Sequence, residues 1–398
     1  MRPSRLLGFG SSLRSAAIPF FALLAPFVSG PVPGGAQASP HLRQAAARDV
    51  DFPEHFRVFT GQGEPASMDD IVAALDEVDA LLVGETHTDP VGHWIEDRLF
   101  SEALARFGET AEPGAVRKVA LSMEFFERDV QPVVNEYLAG LITESQFIDD
   151  ARAVTYYRED YRPLVERARD AGAPVIASNA PRRYVNRVSR LGRDALRDLS
   201  PWALSFLPPL PYPPPSDAYR EEWTTLMREM PMVPRCDPPP GLEEAGPEED
   251  EPEPPPHGVT PPPLREHPPV GDSARDRREG GPPHEMPSHA MGDFMENGLQ
   301  AQALWDAAMA RAVTSFLDLN PEALVVHVVG GFHVENHTGV PEKVEYYRPG
   351  TRTLVVAMEV VEDFRTFNAE EHAGLGDFVI LTDQALDKNY ERNCMGVR

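Results

Sequence analysis

Four short apolar runs in this chain each end on a polar side chain able to do chemistry. Leu81-Leu82-Val83 runs into Gly84-Glu85-Thr86-His87, and Val119-Ala120-Leu121-Ser122-Met123 into Glu124. Val175-Ile176-Ala177-Ser178 runs into Asn179-Ala180-Pro181-Arg182, and Val325 to Val329 into Gly330-Gly331-Phe332-His333. Short, nearly continuous apolar runs are the mark of strands covered on both faces. The spacing predicts strands at Asp79–Val83, Lys118–Met123, the run before Asn179, Ala323–Val329, Thr353–Met358 and Phe378–Leu381. Helical patterns lie between them. Asp89-Pro90 supplies a cap and a first-turn proline, followed by Trp94, Leu99, Ala103, Leu104 and Phe107. Thr143-Glu144-Ser145-Gln146 matches a capping box. Tyr161, Leu164, Val165 and Ala168 stripe a helix that Gly172 ends, Pro181 opens another toward Arg190, and Phe294 to Leu317 carries a longer apolar stripe. Strands alternating with helices imply an α/β fold with a mainly parallel central sheet and helices on both faces. Ligand sites in such sheets form where the carboxyl ends of strands open into loops. The four runs would deliver Glu, His, Glu, Arg and His to one edge.

The chain is 398 residues long, and its parts differ in character. Residues 1–38 read as a secretory signal: Arg2, Arg5 and Arg14, an apolar stretch from Ala16 to Val28, and the small residues of Ala36-Gln37-Ala38. The apolar stretch is short for a bilayer span of roughly 20 residues. No later segment is apolar enough to cross a membrane, so the expectation is a periplasmic or secreted protein without an integral span after cleavage. Residues 39–232 and 290–385 are expected to form one discontinuous domain. Residues 233–289 between them are rich in proline and acid, in runs such as Pro254-Pro255-Pro256, and are read as a disordered insert. Residues 386–398 form a tail. A net charge of −26 argues against nucleic acid as a partner, because phosphate recognition needs clustered cations. The two cysteines, Cys236 and Cys394, have no metal-ligand spacing, and any disulfide between them would be peripheral.

The candidate chemistry gathers at the strand ends. Gly84 permits a tight turn, His87 would point an imidazole into the cleft, and Glu85 adds a carboxylate; both groups are ligands for a transition metal. Gly330-Gly331-Phe332-His333 repeats the arrangement. Glu124, followed by Phe125 and Phe126, would have a raised pKa unless paired, which suits a general acid or base. Arg182 opposes the dipole at the first turn of its helix and is read as a mate for Glu124 or for an anionic ligand, with Arg183 as the solvated charge. His93, one helical turn beyond Pro90, could approach the same cleft, but is read first as an ordinary helix-face residue. Tyr156, Tyr157 and Tyr161 form a cluster, and a tyrosine can ligate haem iron. His257, His267, His284 and His289 fall in or near the proline-rich stretch, where nothing fixes a geometry.

The ordered set Gly84-Glu85-Thr86-His87, Met123-Glu124-Phe125-Phe126, Asn179-Ala180-Pro181-Arg182, the helix around Gln302 to Ala310, and Gly330-Gly331-Phe332-His333 resembles the ChaN-like haem-binding lipoprotein family. That family shares a superfamily with Tiki-type metalloproteases and erythromycin esterases. The likeness covers about residues 55–200 and 290–360. It implies an α/β sandwich with the paired Gly-x-x-His strings at its active edge. In the ChaN-like branch it implies haem as ligand, a role in iron acquisition, and haem held between two protomers through a tyrosine, for which Tyr161 is the candidate. In the hydrolytic branches it implies His87 and His333 as ligands of a divalent metal or as bases, supported by Glu85, Glu124 and Arg182. The chain departs from the family in lacking a lipidation cysteine and in carrying the proline-rich insert.

Overall fold

The computed structural model describes residues 51–108, 116–229 and 288–386. The expected signal, the proline-rich stretch up to Pro287, the tail beyond Leu386 and both cysteines lie outside the described residues. The strands are β1 (Phe56–Thr60), β2 (Pro65–Ala66), β3 (Ala80–Glu85), β4 (Val119–Glu127), β5 (Val175–Asn179), β6 (Leu324–Gly330), β7 (Thr353–Val361) and β8 (Phe378–Asp383). They form one eight-stranded sheet in the order β2-β1-β8-β7-β3-β6-β4-β5. The six strands from β8 to β5 run parallel; β1 pairs antiparallel with β8 and with β2. The α/β fold with a mainly parallel sheet is therefore as the strand runs imply, with an antiparallel edge that they did not announce.

The helices are α1 (Met68–Ala74), α2 (Pro90–Phe107), α3 (Gln131–Leu138), α4 (Glu144–Asp150), α5 (Arg162–Asp170), α6 (Arg182–Leu191), α7 (Pro201–Leu204), α8 (Asp217–Glu229), α9 (Ser288–Leu319), α10 (Val340–Tyr347) and α11 (Ala369–His372). The start signals operate as written. The Asp89 side chain accepts from the N–H of Val91, and Thr143 and Gln146 close a reciprocal capping box. Gly172, with φ +64°, follows the end of α5 in the left-handed region that glycine tolerates.

Strand periodicity sorts the core into two layers. Leu81 and Val83 of β3, Leu121 and Met123 of β4, and Val326 and Val328 of β6 pack with α2, α3, α4 and α5. Their neighbours Ala80, Leu82, Ala120, Val325 and Val329 face the other way, against α9 and α10. A third cluster joins α6 to α9. The amino ends of β3, β4 and β6 are tied together by Arg117. Its guanidinium donates to the carbonyls of Val78, Ala323, Glu322 and Leu75 at 2.8, 2.9, 3.0 and 3.2 Å while stacking over Phe107. No helix among the described residues is long and apolar enough to cross a membrane.

The layers decide where a site can form. The connection leaving β3 turns to α2 on one face, and the connection leaving β6 turns to α10 on the other. β3 and β6 are neighbours, with Glu85 level with Gly330. Chains that part to opposite faces leave a crevice at the carboxyl ends of adjacent strands.

Candidate functional site

The crevice has two halves, one on each face of the sheet, joined by His87. Alternation along β3 sends the Glu85 side chain to the α2 face, where it is buried. One of its oxygens, Oε1, accepts the Tyr161 hydroxyl at 2.5 Å and lies 2.7 Å from His87 Nδ1. The other, Oε2, faces His93 Nε2 at 3.5 Å. His93 Nδ1 in turn lies 3.3 Å from Asp160 Oδ1. Glu96, one turn beyond His93 on α2, is wholly buried beside Glu85. Burial pushes Glu96 well above the carboxylate range, and the charge of Glu85 adds to the push. Burial alone would raise Glu85 too, but the neighbouring Glu96, the bond from His87 and the charge of His93 hold it below its ordinary value. Burial lowers His93, and Asp160 and Glu85 more than reverse this, so His93 is raised.

On the other face stand Glu124 and His333. Gly330 donates its N–H to Glu124 Oε2 at 2.8 Å, and His333 Nε2 lies 3.8 Å from Glu124 Oε1. His333 Nδ1 is 2.5 Å from Asp306 Oδ1 on α9, with Trp305 edge-on to its ring. Burial lowers His333, but Asp306 and Glu124 win and raise it. A Cβ on Gly330 would lie within 3.6 Å of both His87 and Glu124, and Glu124 in turn faces His333, so the two imidazoles of the Gly-x-x-His strings flank one carboxylate. His87 itself is 43 % exposed at the side chain. Burial opposes its protonated form, but the bond and charge of Glu85, aided by Glu124, raise its pKa to about 9. Its ring passes so close to Gly330 that a Cβ there would lie 2.9 Å from His87 Cε1. Gly330 has ordinary extended dihedrals, φ −59° and ψ 139°, so this glycine serves close approach and not an unusual backbone.

Three readings of the sequence need correction. His93 is not a helix-face residue: it is 6 % exposed and lies between Glu85 and Asp160. Arg182 does not pair with Glu124; it is exposed and takes part in no ion pair among the described residues, whereas Arg183 bonds Asp129 at 2.6 Å and stacks over Tyr184. Tyr161 is wholly buried, stacked on Phe125 with ring centres 3.9 Å apart, and its hydroxyl is committed to Glu85. Burial and the charge of Glu85 push its phenol far above the ordinary value, so it is ill placed to meet iron as a phenolate. The tyrosine nearer the surface is Tyr156, half-buried, raised to about 12 by burial and by Glu85 and Glu124, and opposed in this by Arg182. Among the described residues, the three ligand-type side chains within 4.8 Å of one another are Glu85, His93 and Glu96; His87 and His333 are not drawn into that group.

Glu96, Asp160, Asp306 and Tyr219, which lies buried against Asp306, escaped the sequence reading. Two carried a signal. Glu96 falls on the stripe Leu99–Ala103 of α2, and Asp306 on the stripe Ala303–Ala310–Val313 of α9, both core positions where a carboxylate is out of place without a partner.

The sequence family described as "Haem-binding uptake, Tiki superfamily, ChaN" matches residues 71–344. No curated protein matches the chain. Among solved structures, cofacial haem-bound ChaN of Campylobacter jejuni superposes with a TM-score of 0.51 at 11 % identity, over 83 % of this chain and 98 % of its own. The erythromycin esterase EreC in its open conformation gives a TM-score of 0.38 at 9 % identity, over 82 % of this chain and 83 % of its own. The type III effector HopBA1 gives 0.36 at 10 % identity, over 79 % and 92 %. At these identities the first likeness speaks of fold alone, and the other two carry no argument.

Proposed function

The chain belongs to the ChaN family of haem-binding uptake proteins in the Tiki superfamily, and on that premise we propose that it is an exported haem-binding protein serving iron acquisition, with His87 as the residue that meets iron. The family match over residues 71–344 carries the proposal. The geometry supports His87 over Tyr161. A carboxylate on Nδ1 fixes the tautomer and orientation of an imidazole and leaves Nε2 for a metal, and Glu85 stands in that place. His87 is also half-exposed, and Phe125 lies edge-on to it with ring centres 5.3 Å apart. Half-buried Tyr156 continues this aromatic wall, and unpaired Arg182 beyond it would take a propionate. When bound, haem would supply an iron centre and a flat apolar face; the protein would hold it with the His87 imidazole, the aromatic wall and the Arg182 cation. A second copy of the chain is the natural cover for the remaining face of the porphyrin.

Titration of the purified protein with hemin tests this. A saturable Soret shift that persists in Tyr161→Phe and is lost in His87→Ala is expected, with the haem-loaded protein running as a dimer. No saturable shift, or an unchanged one in His87→Ala, would refute it.

One observation favours a second reading, a metal-dependent hydrolase. His87 and His333 both carry a carboxylate on Nδ1 and both answer to Glu124. His87 and His333 would hold a divalent metal, Glu124 would take a proton from water, and Glu85 would orient His87. Metal content that disappears in the His87→Ala, His333→Ala double variant would support that reading; unchanged content would remove it.

A further inference from the structure

The α2 face of the crevice holds a concentration of buried polar atoms that the protein does not satisfy. Glu85 Oε2, both nitrogens of His93, both oxygens of Glu96, Asp89 Oδ2 and Asp160 Oδ2 are all buried with no hydrogen-bond partner in proper geometry among the described residues. Buried polar atoms are paired in the great majority of cases, and leaving one unpaired is costly. Here seven fall within one neighbourhood, around one imidazole and four carboxyl groups. Such an excess of buried acid calls for compensating positive charge.

The atoms are also arranged as donors. Glu85, His93 and Glu96 each present one ligand atom within 4.8 Å of the others, and all three side chains are more than nine-tenths buried. Helical spacing puts His93 and Glu96 three residues apart on the same face of α2, aimed at the end of β3. Asp160 stands at 3.3 Å from His93 Nδ1, which directs Nε2 toward Glu85 Oε2. Carboxylate to imidazole to metal is the usual outer support of a bound cation.

We propose that Glu85, His93 and Glu96 form a buried binding site for a divalent transition metal, with Asp160 as the residue that positions His93. One imidazole and two carboxylates suit Zn²⁺, with Mn²⁺ as the harder alternative. The site uses the oxygen of Glu85 that turns away from His87, so it does not depend on haem binding at the surface. Glu85 would then act on both sides at once, ligating the cation with Oε2 while Oε1 holds His87 and Tyr161. Filling the site fixes the loop between β3 and α2 and hence the position of His87.

Glu96→Gln separates a metal from its chief rival, a proton shared between Glu85 and Glu96. The amide copies the shape and the donor of a protonated Glu96, so under the proton reading it is silent. The full-length chain, stripped with a chelator and dialysed against Zn²⁺ or Mn²⁺, should retain about one ion per chain by mass spectrometry. Co²⁺ loading should give d–d absorption bands of nitrogen and oxygen ligation. Glu96→Gln should lose at least about tenfold in affinity, and Asp160→Asn about 10–100-fold. His87→Ala should keep the ion while losing hemin, which separates this site from both readings of the surface histidines. Wild-type protein that retains no Zn²⁺ or Mn²⁺ overturns the proposal, as does a Glu96→Gln variant that binds the ion as tightly as wild type.

Discussion

Gly330→Ala is a small change with a local and calculable effect. The dihedrals of Gly330 suit alanine, and its N–H would still reach Glu124. The new methyl would stand 2.9 Å from His87 Cε1 and 3.2 Å from His87 Nε2. Carbon contacts settle near 3.5–4.0 Å, so the ring must retreat by roughly half an ångström or more. That retreat stretches the 2.7 Å contact between His87 Nδ1 and Glu85 Oε1 past good hydrogen-bond length. A hydrogen bond to a charged partner contributes about 1.5–3 kcal/mol. His87 is 43 % exposed, so solvent screening reduces this toward about 1 kcal/mol. If His87 meets iron, hemin affinity should fall about fivefold, the equivalent of that energy. Soret titration of wild type and variant at one pH reads the affinity, and thermal unfolding checks that the fold is retained. Equal affinities would refute the reasoning. So would a stability loss of several kcal/mol, because it would mean that the clash is absorbed by the backbone instead of by a half-exposed ring.

Three other outcomes are expected. His327, wholly buried on β6, is lowered to about 4, chiefly by burial. Its folded pKa lies below its unfolded value, so its contribution is complete above about pH 6.5 and is lost as the pH falls toward 4, amounting to about 2 kcal/mol by pH 5. Urea unfolding of wild type and His327→Leu should show the wild type losing that much more stability between pH 7.5 and 5; parallel pH curves would contradict it. Arg117→Leu removes a donor from four carbonyls and should cost about 2–4 kcal/mol in denaturant unfolding, whereas a change below about 0.5 kcal/mol would show that water replaces it. Tyr161→Phe deletes the hydroxyl bond to Glu85 and should lower stability by about 1–2 kcal/mol, without abolishing hemin binding; a neutral effect on stability would mean that the bond contributes nothing net.

The strands were the readable part of the fold, because a strand buried on both faces is written as a continuous apolar run. The runs ending at Val83, Met123, Ser178 and Val329 became β3, β4, β5 and β6, and their ends meet at one edge. The antiparallel edge was not readable. β2 is only two residues long, and Pro65–Ala66 carries no periodicity at all. Of the site, the residues at strand ends were found because position relative to an apolar run is a local property. Their partners were not. That His93 faces Asp160, or His333 faces Asp306, depends on which helices pack against which face of the sheet, and no spacing along one helix reports that. Arg182 shows the converse error. Its place at a helix start suggested Glu124 as a mate, but the carboxylate that the packing brings to α6 is Asp129, and Arg183 takes it.

The placement of β6 bears on how this protein is made. β3 and β4 are synthesised first, yet they never touch; β6 lies between them and bonds to both. A nascent chain that has emerged only as far as α8 therefore presents the facing edges of β3 and β4 with open backbone groups and nothing to zip them. Closure waits for a strand encoded almost 200 residues after β4. The ribosome thus delivers β6 after the strands on either side of it, and the histidine pair can exist only once that insertion has occurred.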